Sequence, residues 1–441
     1  MIVRVTQSGA QLQHDVSIMI AGVLLPDVTQ GLEMTPIDTS LKVSGSITSV
    51  TSSDVAFFVK FGKRVGSARI IITVSELQLT DTLWFTVKPG APNHIRLKPA
   101  DTAAVVGGTF TQDASIVDRS GNELAGRATF AATDAAITVS PTGSVRANTI
   151  GRTGISVTYA APTGTLRDTA MVSVVPSGSI AQGIPAPGAS VTSSIAIRRP
   201  DGSLIKGFST PFSPFQTSWS PDGGRVYCVG ASTDPTKPAT YGLFALTVSD
   251  GSMRQIVPDS ISALRGRLLD WPAPSRDDAW LYFSANELGV GPSVWRIHLD
   301  GTGAEQLVGP PPPNTGEGPR SPSPSPDGTR IAYVYANDVK ILNLTTRSTT
   351  SIHGTGADEV RWAPSGERLA TRGGAGLYVV NSDGSGMRQI MPSLSFERGL
   401  EWSPDGRWVV VKTGSVATIV DPDTGLLLPT PLNGAGMAWS N

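Results

Sequence analysis

The chain has 441 residues, of which 48 are glycine and 34 are proline, and only 16% are charged. This length exceeds one ordinary core, and the composition is typical of a turn-rich, all-β protein of several domains. A net charge of −1 and a pI near 6.4 argue against a nucleic-acid partner, because phosphate binding requires a basic surface.

Cysteine, histidine and hydropathy restrict the chemistry further. The single cysteine, Cys228, excludes an internal disulfide, and its apolar strand predicts a buried, inert thiol. No apolar run reaches the roughly 18 residues of a membrane span. Residues 1–25 lack the basic start, apolar core and cleavage site of a signal peptide. The chain is therefore either cytoplasmic or numbered after processing.

The first 176 residues are predicted to form two β-sandwiches, over residues 1–89 and 90–176. Residues 69–74 and 83–87 are rich in β-branched and aromatic side chains and are bounded by polar turns, as strands are. The same order of strand, polar turn, Asp-Thr and strand recurs in residues 154–178. Such an internal repeat, with modules close to 100 residues long, favours tandem sandwiches.

The second segment resembles bacterial immunoglobulin-like domains. The resemblance lies in residues 95–124, 128–159 and 168–175, whereas the first segment is matched only by its closing hairpin. The usual tryptophan of that family is absent, and Phe130 is the candidate to replace it. Residues 177–190 are small, proline-rich and almost uncharged, which predicts a linker.

A short motif then recurs through the rest of the chain. Its copies begin at positions 219, 271, 324, 362, 402 and 439, which are 52, 53, 38, 40 and 37 residues apart. A four-stranded propeller blade takes about 40–50 residues. Five copies continue into a strand, tight turn and strand, over residues 241–257, 292–308, 338–352, 375–391 and 416–429. Asp-Gly occupies most of the turns, where positive φ is needed.

The ends of this region predict one composite blade. Residues 194–208 look like an outer half, and Trp439 to Asn441 look like the start of an inner half. Five complete copies and one composite predict a six-bladed propeller over residues 191–441, closed by strands from both of its ends, which leaves no exposed edge.

The Trp-Ser-Pro-Asp-Gly motif resembles the WD40-like PD40 repeat of TolB-type β-propellers. Departures are Pro324 in place of tryptophan, Ser-Gly at 365–366 and an irregular second copy. We interpret the motif residues as structural, because proline, aspartate and glycine together satisfy a tight turn and the tryptophan packs between blades. They are Trp219, Pro221, Asp222, Gly223, Trp271, Pro326, Asp327, Gly328, Trp362, Pro364, Gly366, Trp402, Pro404, Asp405, Gly406 and Trp439.

The candidate reactive groups have simpler interpretations. Asp421 and Asp423 are spaced for Ca²⁺ but lack the later ligands of a calcium loop, which favours a hairpin turn. His298 is interpreted as a half-exposed strand residue and His353 as a loop residue. No hydrolase elbow, P-loop or zinc motif is present. We therefore assign no catalytic, cofactor-binding or metal-binding residue, and we expect no cofactor.

Two insertions predict one decorated face. They cover residues 231–240 and 309–326, and loops on a rigid scaffold are where binding usually occurs. The second insertion is either a stiff polyproline recognition arm or a solvated loop. Its candidate partner-binding residues are Pro310, Pro311, Pro312, Pro313, Asn314 and Arg320.

The leading functional hypothesis is a non-enzymatic binding or scaffolding subunit with one or more protein partners. The family resemblances imply a periplasmic or surface setting, where the partner belongs to an envelope or membrane-embedded assembly. The first alternative is a carbohydrate-active or metal-dependent enzyme in the propeller channel, with Asp270, Glu359 and Glu401 as the candidate carboxylates. The second is a structural surface-layer protein that associates with itself.

Overall fold

The computed structural model describes residues 89–184, 193–232, 241–257, 261–311, 318–392 and 398–440, together with the backbone of strands before residue 88. Its elements are β-strands and one short 3-10 helix, Ser262–Leu264. The all-β class expected from the composition is confirmed. Among the described residues, none of the helices is long and apolar enough to cross a membrane.

Strands before residue 88 pair in two antiparallel sheets, ordered β2-β1-β5-β4 and β3-β6-β7. Their bounds are β1 Ile2–Ser8, β2 Gln11–His14, β3 Leu32–Pro36, β4 Leu41–Ser44, β5 Ala56–Phe61, β6 Gly66–Val74 and β7 Leu79–Val87. Strands β6 and β7 contain the two predicted runs and pair as a hairpin, from Gly66↔Val87 to Val74↔Leu79.

Residues 94–175 form three further sheets, ordered β10-β15-β14, β12-β11-β8 and β13-β16-β17-β9. Their bounds are β8 His94–Lys98, β9 Asp101–Val105, β10 Thr109–Thr111, β11 Asp113–Val117, β12 Glu123–Leu124, β13 Thr129–Ala132, β14 Ile137–Val139, β15 Ser144–Ala147, β16 Gly151–Ala161 and β17 Gly164–Val175. Ile116, Ile155 and Val172 are almost completely buried in the shared core. Phe130 is only half-buried at its edge.

The described residues from 179 to 440 form six four-stranded antiparallel sheets, ordered β20-β19-β18-β41, β21-β22-β23-β24, β25-β26-β27-β28, β29-β30-β31-β32, β33-β34-β35-β36 and β37-β38-β39-β40. The bounds are β18 Ser179–Ile184, β19 Ser194–Arg198, β20 Leu204–Ser209, β21 Phe212–Trp219, β22 Arg225–Ser232, β23 Tyr241–Thr247, β24 Met253–Gln255, β25 Leu268–Pro274, β26 Trp280–Glu287, β27 Gly291–His298, β28 Glu305–Val308, β29 Arg320–Pro324, β30 Arg330–Tyr335, β31 Asp338–Asn343, β32 Thr349–Ile352, β33 Glu359–Trp362, β34 Arg368–Gly373, β35 Gly376–Asn381, β36 Arg388–Pro392, β37 Leu400–Trp402, β38 Val409–Thr413, β39 Val416–Val420, β40 Leu427–Thr430 and β41 Ala435–Ser440.

One strand of each sheet lies against its counterparts in the two neighbouring sheets. These inner strands follow one another in the order β21, β25, β29, β33, β37 and β41, and β41 lies against β21. Apolar residues of the second and third strands fill the space between successive sheets, as in the cluster of Val229, Leu243, Leu281 and Phe283. The inner strands therefore surround one central region.

The direction of the strands places the loops. Five inner strands run from the connection with the preceding sheet to a Ser-x-Asp or related corner. They are β21, β25, β29, β33 and β37. Because neighbouring strands are antiparallel, the hairpin between the second and third strands returns to the end where the inner strand starts. We name this end, with its connections and hairpins, the connection face, and the opposite end of the inner strands the corner face.

The predicted linker at 177–190 is wrong over residues 179–184, which form the buried strand β18. This strand pairs with β19 and with β41, so its sheet contains strands from both ends of the repeat region. Its small residues have a packing role, because a Cβ on Gly183 would lie 2.4 Å from the carbonyl oxygen of Pro214. Residues 185–190 of the predicted linker lie outside the described part.

The segment before β18 packs directly on the repeat region. Val175, at the end of β17, shares an apolar cluster with Trp408 and Ile419 of the sheet β37–β40. The backbone N–H of Val105 also donates to Asp201 Oδ2 at 3.4 Å. Only residues 176–178 separate β17 from β18, so the two parts are joined without a spacer.

Candidate functional site

Each corner is built on a serine in most copies. The hydroxyl groups of Ser220, Ser325 and Ser403 each donate to the carboxylate two residues later, at 2.5 Å. The same Ser403 hydroxyl accepts the backbone N–H of Trp408 at 2.8 Å, and the other copies repeat this bond. Glycine follows in the left-handed region, with φ of +69° at Gly406. This is the turn role expected for the motif.

The structure corrects the register of the second copy. Its corner is Ser275-Arg276-Asp277-Asp278, where the Ser275 hydroxyl donates to Asp277 Oδ1 and accepts the N–H of Trp280. Pro274 therefore stands where other copies have tryptophan, and Trp271 lies three residues earlier in a bulge of β25. The sequence favours Trp271 as the start of this copy because tryptophan is the most conspicuous residue of the motif. The chain continues from this corner directly into β26, which begins at Trp280.

Two motif tryptophans form hydrogen bonds to the neighbouring sheet. The indole N–H of Trp219 donates to the carbonyl of Ala438 at 3.0 Å, and that of Trp402 donates to the carbonyl of Arg361 at 3.2 Å. Each bond runs to the inner strand of the preceding sheet. At these two positions the indole group joins adjacent sheets.

The three candidate carboxylates come together in the central region. Glu359 is 2% exposed and pairs with Arg361 at 3.0 Å and Arg372 at 3.8 Å. The Nε of Arg361 lies 3.5 Å from Glu401 Oε2. Asp270 pairs with Arg398 at 2.6 Å. Three carboxylates thus share a network with three arginines.

Burial changes the acidity of this network. Desolvation raises the pKa of Glu401 to about 7, and the nearby Glu359 acts in the same direction while Arg361 opposes it. Desolvation likewise raises the pKa of Asp270, against the charge of Arg398. Raised carboxyl pKa values of this kind occur both in reactive carboxylates and in structural ion-pair networks.

Trp271 connects two of the arginines. Its ring lies 4.6 Å from the guanidinium carbon of Arg398 and 5.9 Å from that of Arg361. Its backbone is in the left-handed region, at φ +60°, and its N–H donates to Gln216 Oε1 at 2.7 Å. A bulky residue adopts this conformation only where its surroundings impose it. The surroundings of Trp271 therefore fix its backbone between the two arginines.

A pocket lies beside the network at the corner face. Its volume is ≈ 210 Å³, and its walls come from all six inner strands or their corners. Arg361 and Glu401 form part of the wall, so the network reaches the pocket. Within the described residues, no group of three or more histidine, cysteine or acidic side chains is placed to hold a metal ion.

Sequence reasoning found the carboxylates but missed their partners. Glu359 and Arg361 are two apart on a strand, so alternation alone places them on the same side, and this signal was available. Arg398 and Asp270 are 128 positions apart, and no local pattern joins them. Arg276 was missed because the second copy was set in the wrong register.

The remaining candidates have structural roles. Burial raises the pKa of the Cys228 thiol to about 12, as expected of an inert cysteine. Asp421 Oδ1 accepts the backbone N–H groups of Asp423 and Thr424, which is a hairpin cap. His298 stacks on Trp280 with ring centroids 3.6 Å apart, and His353 hydrogen-bonds to Asp338.

The proline-rich insertion is only partly described. Pro310 is exposed, Pro311 is buried, and Pro312, Pro313 and Asn314 lie outside the described residues. Arg320 is not a loop residue, because it lies on β29 and pairs with Asp358 at 3.0 Å. It was assigned to the loop because the serines and prolines after it resemble a linker.

No protein-family model matches the chain. Solved structures with a similar arrangement include TolB from Acinetobacter baumannii, at 15% identity and TM-score 0.48, over 71% of this chain and 82% of that one. A protein from Bacteroides fragilis, named provisionally as a 6-phosphogluconolactonase, has 15% identity and TM-score 0.37, over 65% of this chain and 94% of that one. Similarities this distant do not bear on activity or partners.

Proposed function

We propose that residues 179–440 form a closed, six-bladed β-propeller that serves as a non-enzymatic, protein-binding or scaffolding subunit. The propeller interpretation is supported by six sheets whose inner strands contact one another in cyclic order. We further propose that the preceding segments are immunoglobulin-like sandwiches that act as a spacer or docking arm. The PD40 and immunoglobulin-like resemblances favour a periplasmic or surface setting, within an envelope or membrane-embedded assembly.

Exposed apolar residues on the connection face provide the main support for a protein partner. In the hairpin between β26 and β27, Leu288 is 78% exposed and Val290 is 44% exposed. The proline-rich insertion begins beside this hairpin, since Pro311 lies against Gly291. The insertion after β22 starts at the same end of its sheet. Exposed apolar side chains beside long connections favour protein binding over a solvated surface.

The charged network favours a structural role over catalysis. Asp270 is held by Arg398, and Glu359 is held by Arg361 of its own strand and by Arg372 of β34. A catalytic carboxylate must instead be free to exchange a proton with a substrate. The enzyme hypothesis would revive if Glu401→Gln removed a hydrolase or lyase activity from purified protein.

Matched charge substitutions test the binding face. Val290→Glu introduces a charge on the connection face, whereas Met387→Glu introduces one at a similar exposure, 43%, in the turn between β35 and β36. We expect Val290→Glu to reduce recovery of the native-cell partner at least tenfold in affinity purification, and Met387→Glu to leave it unchanged. Equal recovery with both variants would contradict binding at this face. Self-association without a foreign partner would favour the surface-layer hypothesis.

A further inference from the structure

The pocket at the corner face is small and lined by residues of all six sheets. Its ≈ 210 Å³ are enclosed mainly by proline and tryptophan, with one residue from each sheet in Trp219, Pro274, Pro324, Trp362, Glu401 and Trp439. It is smaller than the roughly 300–1,000 Å³ of sites for drug-sized ligands. A small, partly apolar molecule therefore fits it better than a peptide or an oligosaccharide.

One cation at the rim differs from every other corner. Arg276 occupies the position that is proline in the other described corners, at 221, 326, 364 and 404. Its side chain is exposed, lines the pocket, and forms no ion pair with any residue that the structure describes. The corner itself is intact, because Ser275 and Asp277 make the usual bonds. Arginine is thus not required there by the turn.

The other charged residues of the pocket wall are one arginine and one glutamate. Arg361 also lines the wall, and its NH1 donates to Ser321 Oγ and to the carbonyl of Val360. Glu401 is the acidic residue of the wall, and its Oε1 accepts the N–H of Trp402. Because Arg361 already pairs with Glu359 and Glu401, Arg276 is the cation of the pocket wall that has no ion pair among the described residues.

We propose that this pocket binds a small organic acid, whose carboxylate pairs with Arg276 and whose apolar body lies against the tryptophan and proline walls. Arginine presents two parallel N–H donors that match a carboxylate, and an otherwise unpaired guanidinium loses no existing partner on binding. The site lies at the opposite end of the inner strands from the connection face. It is independent of the protein partner proposed above.

Three molecules of one shape but different charge test this site: benzoate, neutral benzamide and cationic benzamidine. We expect isothermal titration calorimetry on the full chain to show that benzoate binds and that benzamidine does not. Glu401 is faced by Arg361 and Glu359 of the neighbouring inner strand, and Arg276 lines the same pocket. Because its pKa is about 7, it is ionised at pH 8 and repels an anion. Benzoate affinity should therefore fall between pH 6 and pH 8.

Variants locate the bound acid. Arg276→Gln should weaken benzoate binding at least tenfold, whereas Arg407→Gln, at an exposed arginine outside the pocket wall, should not change it. Glu401→Gln should remove the pH dependence while binding persists. The proposal is overturned if benzamidine binds more tightly than benzoate. A benzoate Kd weaker than about 10 mM, or equal affinity of the Arg276 and Arg407 variants, would also overturn it.

Discussion

At the scale of single residues, a serine hydroxyl fixes the geometry of each complete corner. Ser403 both donates to Asp405 and accepts the N–H of Trp408, and it is 3% exposed. Tryptophan, aspartate and glycine are the conspicuous residues of the motif, yet the serine joins the two strands. The fourth copy has Ala363 at this place and Ser365 at the aspartate position, so it lacks these two side-chain hydrogen bonds.

Removing this hydroxyl should destabilise the protein. We expect Ser403→Ala to lower the free energy of unfolding by about 1–3 kcal/mol, because it leaves a buried backbone N–H unpaired. Ser365→Ala is the matched control, since Ser365 accepts only the exposed N–H of Glu367, and it should cost less than about 0.5 kcal/mol. Urea unfolding of both variants measures the difference. Equal losses would contradict the role of the corner serine.

The acidity of Glu401 predicts a pH dependence of stability. Its pKa is raised from 4.5 to about 7 in the folded chain, so the folded state binds more protons than the unfolded state between these values. The resulting contribution to the free energy of unfolding is fully present below about pH 4.5. It is lost as the pH rises through 7, and it amounts to at most about 3 kcal/mol. Relative to the natural chain, Glu401→Gln should therefore gain stability from pH 5 to pH 8 in urea titrations. A constant difference would contradict the assignment.

Tryptophan contacts between sheets give a prediction at the scale of elements. The Trp402 indole donates to Arg361 of the preceding inner strand, whereas the Trp362 indole N–H has no hydrogen-bond partner in the described structure. Both rings also stack with an arginine, Arg368 or Arg330. Trp402→Phe should thus cost about 1 kcal/mol more than Trp362→Phe in thermal or urea unfolding. A larger loss at Trp362 would show that the indole bond does not stabilise the sheet contact.

Strand β18 gives a second prediction at this scale. A fragment of residues 191–441 lacks β18, so β19 and β41 lose their common neighbour. We expect it to be insoluble or to lack a cooperative thermal transition. A fragment of residues 177–441 keeps the sheet and should fold, with a lower Tm than the full chain because Val175 no longer covers its cluster. Similar folding of the two fragments would contradict the composite sheet.

Local patterns predicted the elements better than their contacts. The repeated motif and Asp-Gly turns placed the hairpins, because turn chemistry depends on adjacent residues. Strand β18 was missed because Ser179, Ala181 and Gly183 are small, and small residues are typical of both linkers and close packing. The pairing of Arg398 with Asp270 was missed because it depends on the arrangement of sheets, which no short sequence window contains.

At the scale of the whole molecule, the residues that hold the sheets together differ from the residues that the surface exposes. Corners, indole bonds and the charged network hold the six sheets, and these residues are mostly buried. The connection face instead exposes Leu288 and Val290. Substitutions in the first group should change stability, and substitutions in the second should change binding.

The most direct test of the proposed function is site-specific photo-crosslinking in the native cell. A photoreactive amino acid would replace Leu288 on the connection face or Met387 in the turn between β35 and β36, followed by mass spectrometry of the products. The account predicts one abundant protein partner crosslinked through position 288 and absent at position 387. No partner at position 288, or the same partners at both positions, would contradict a binding subunit that uses this face.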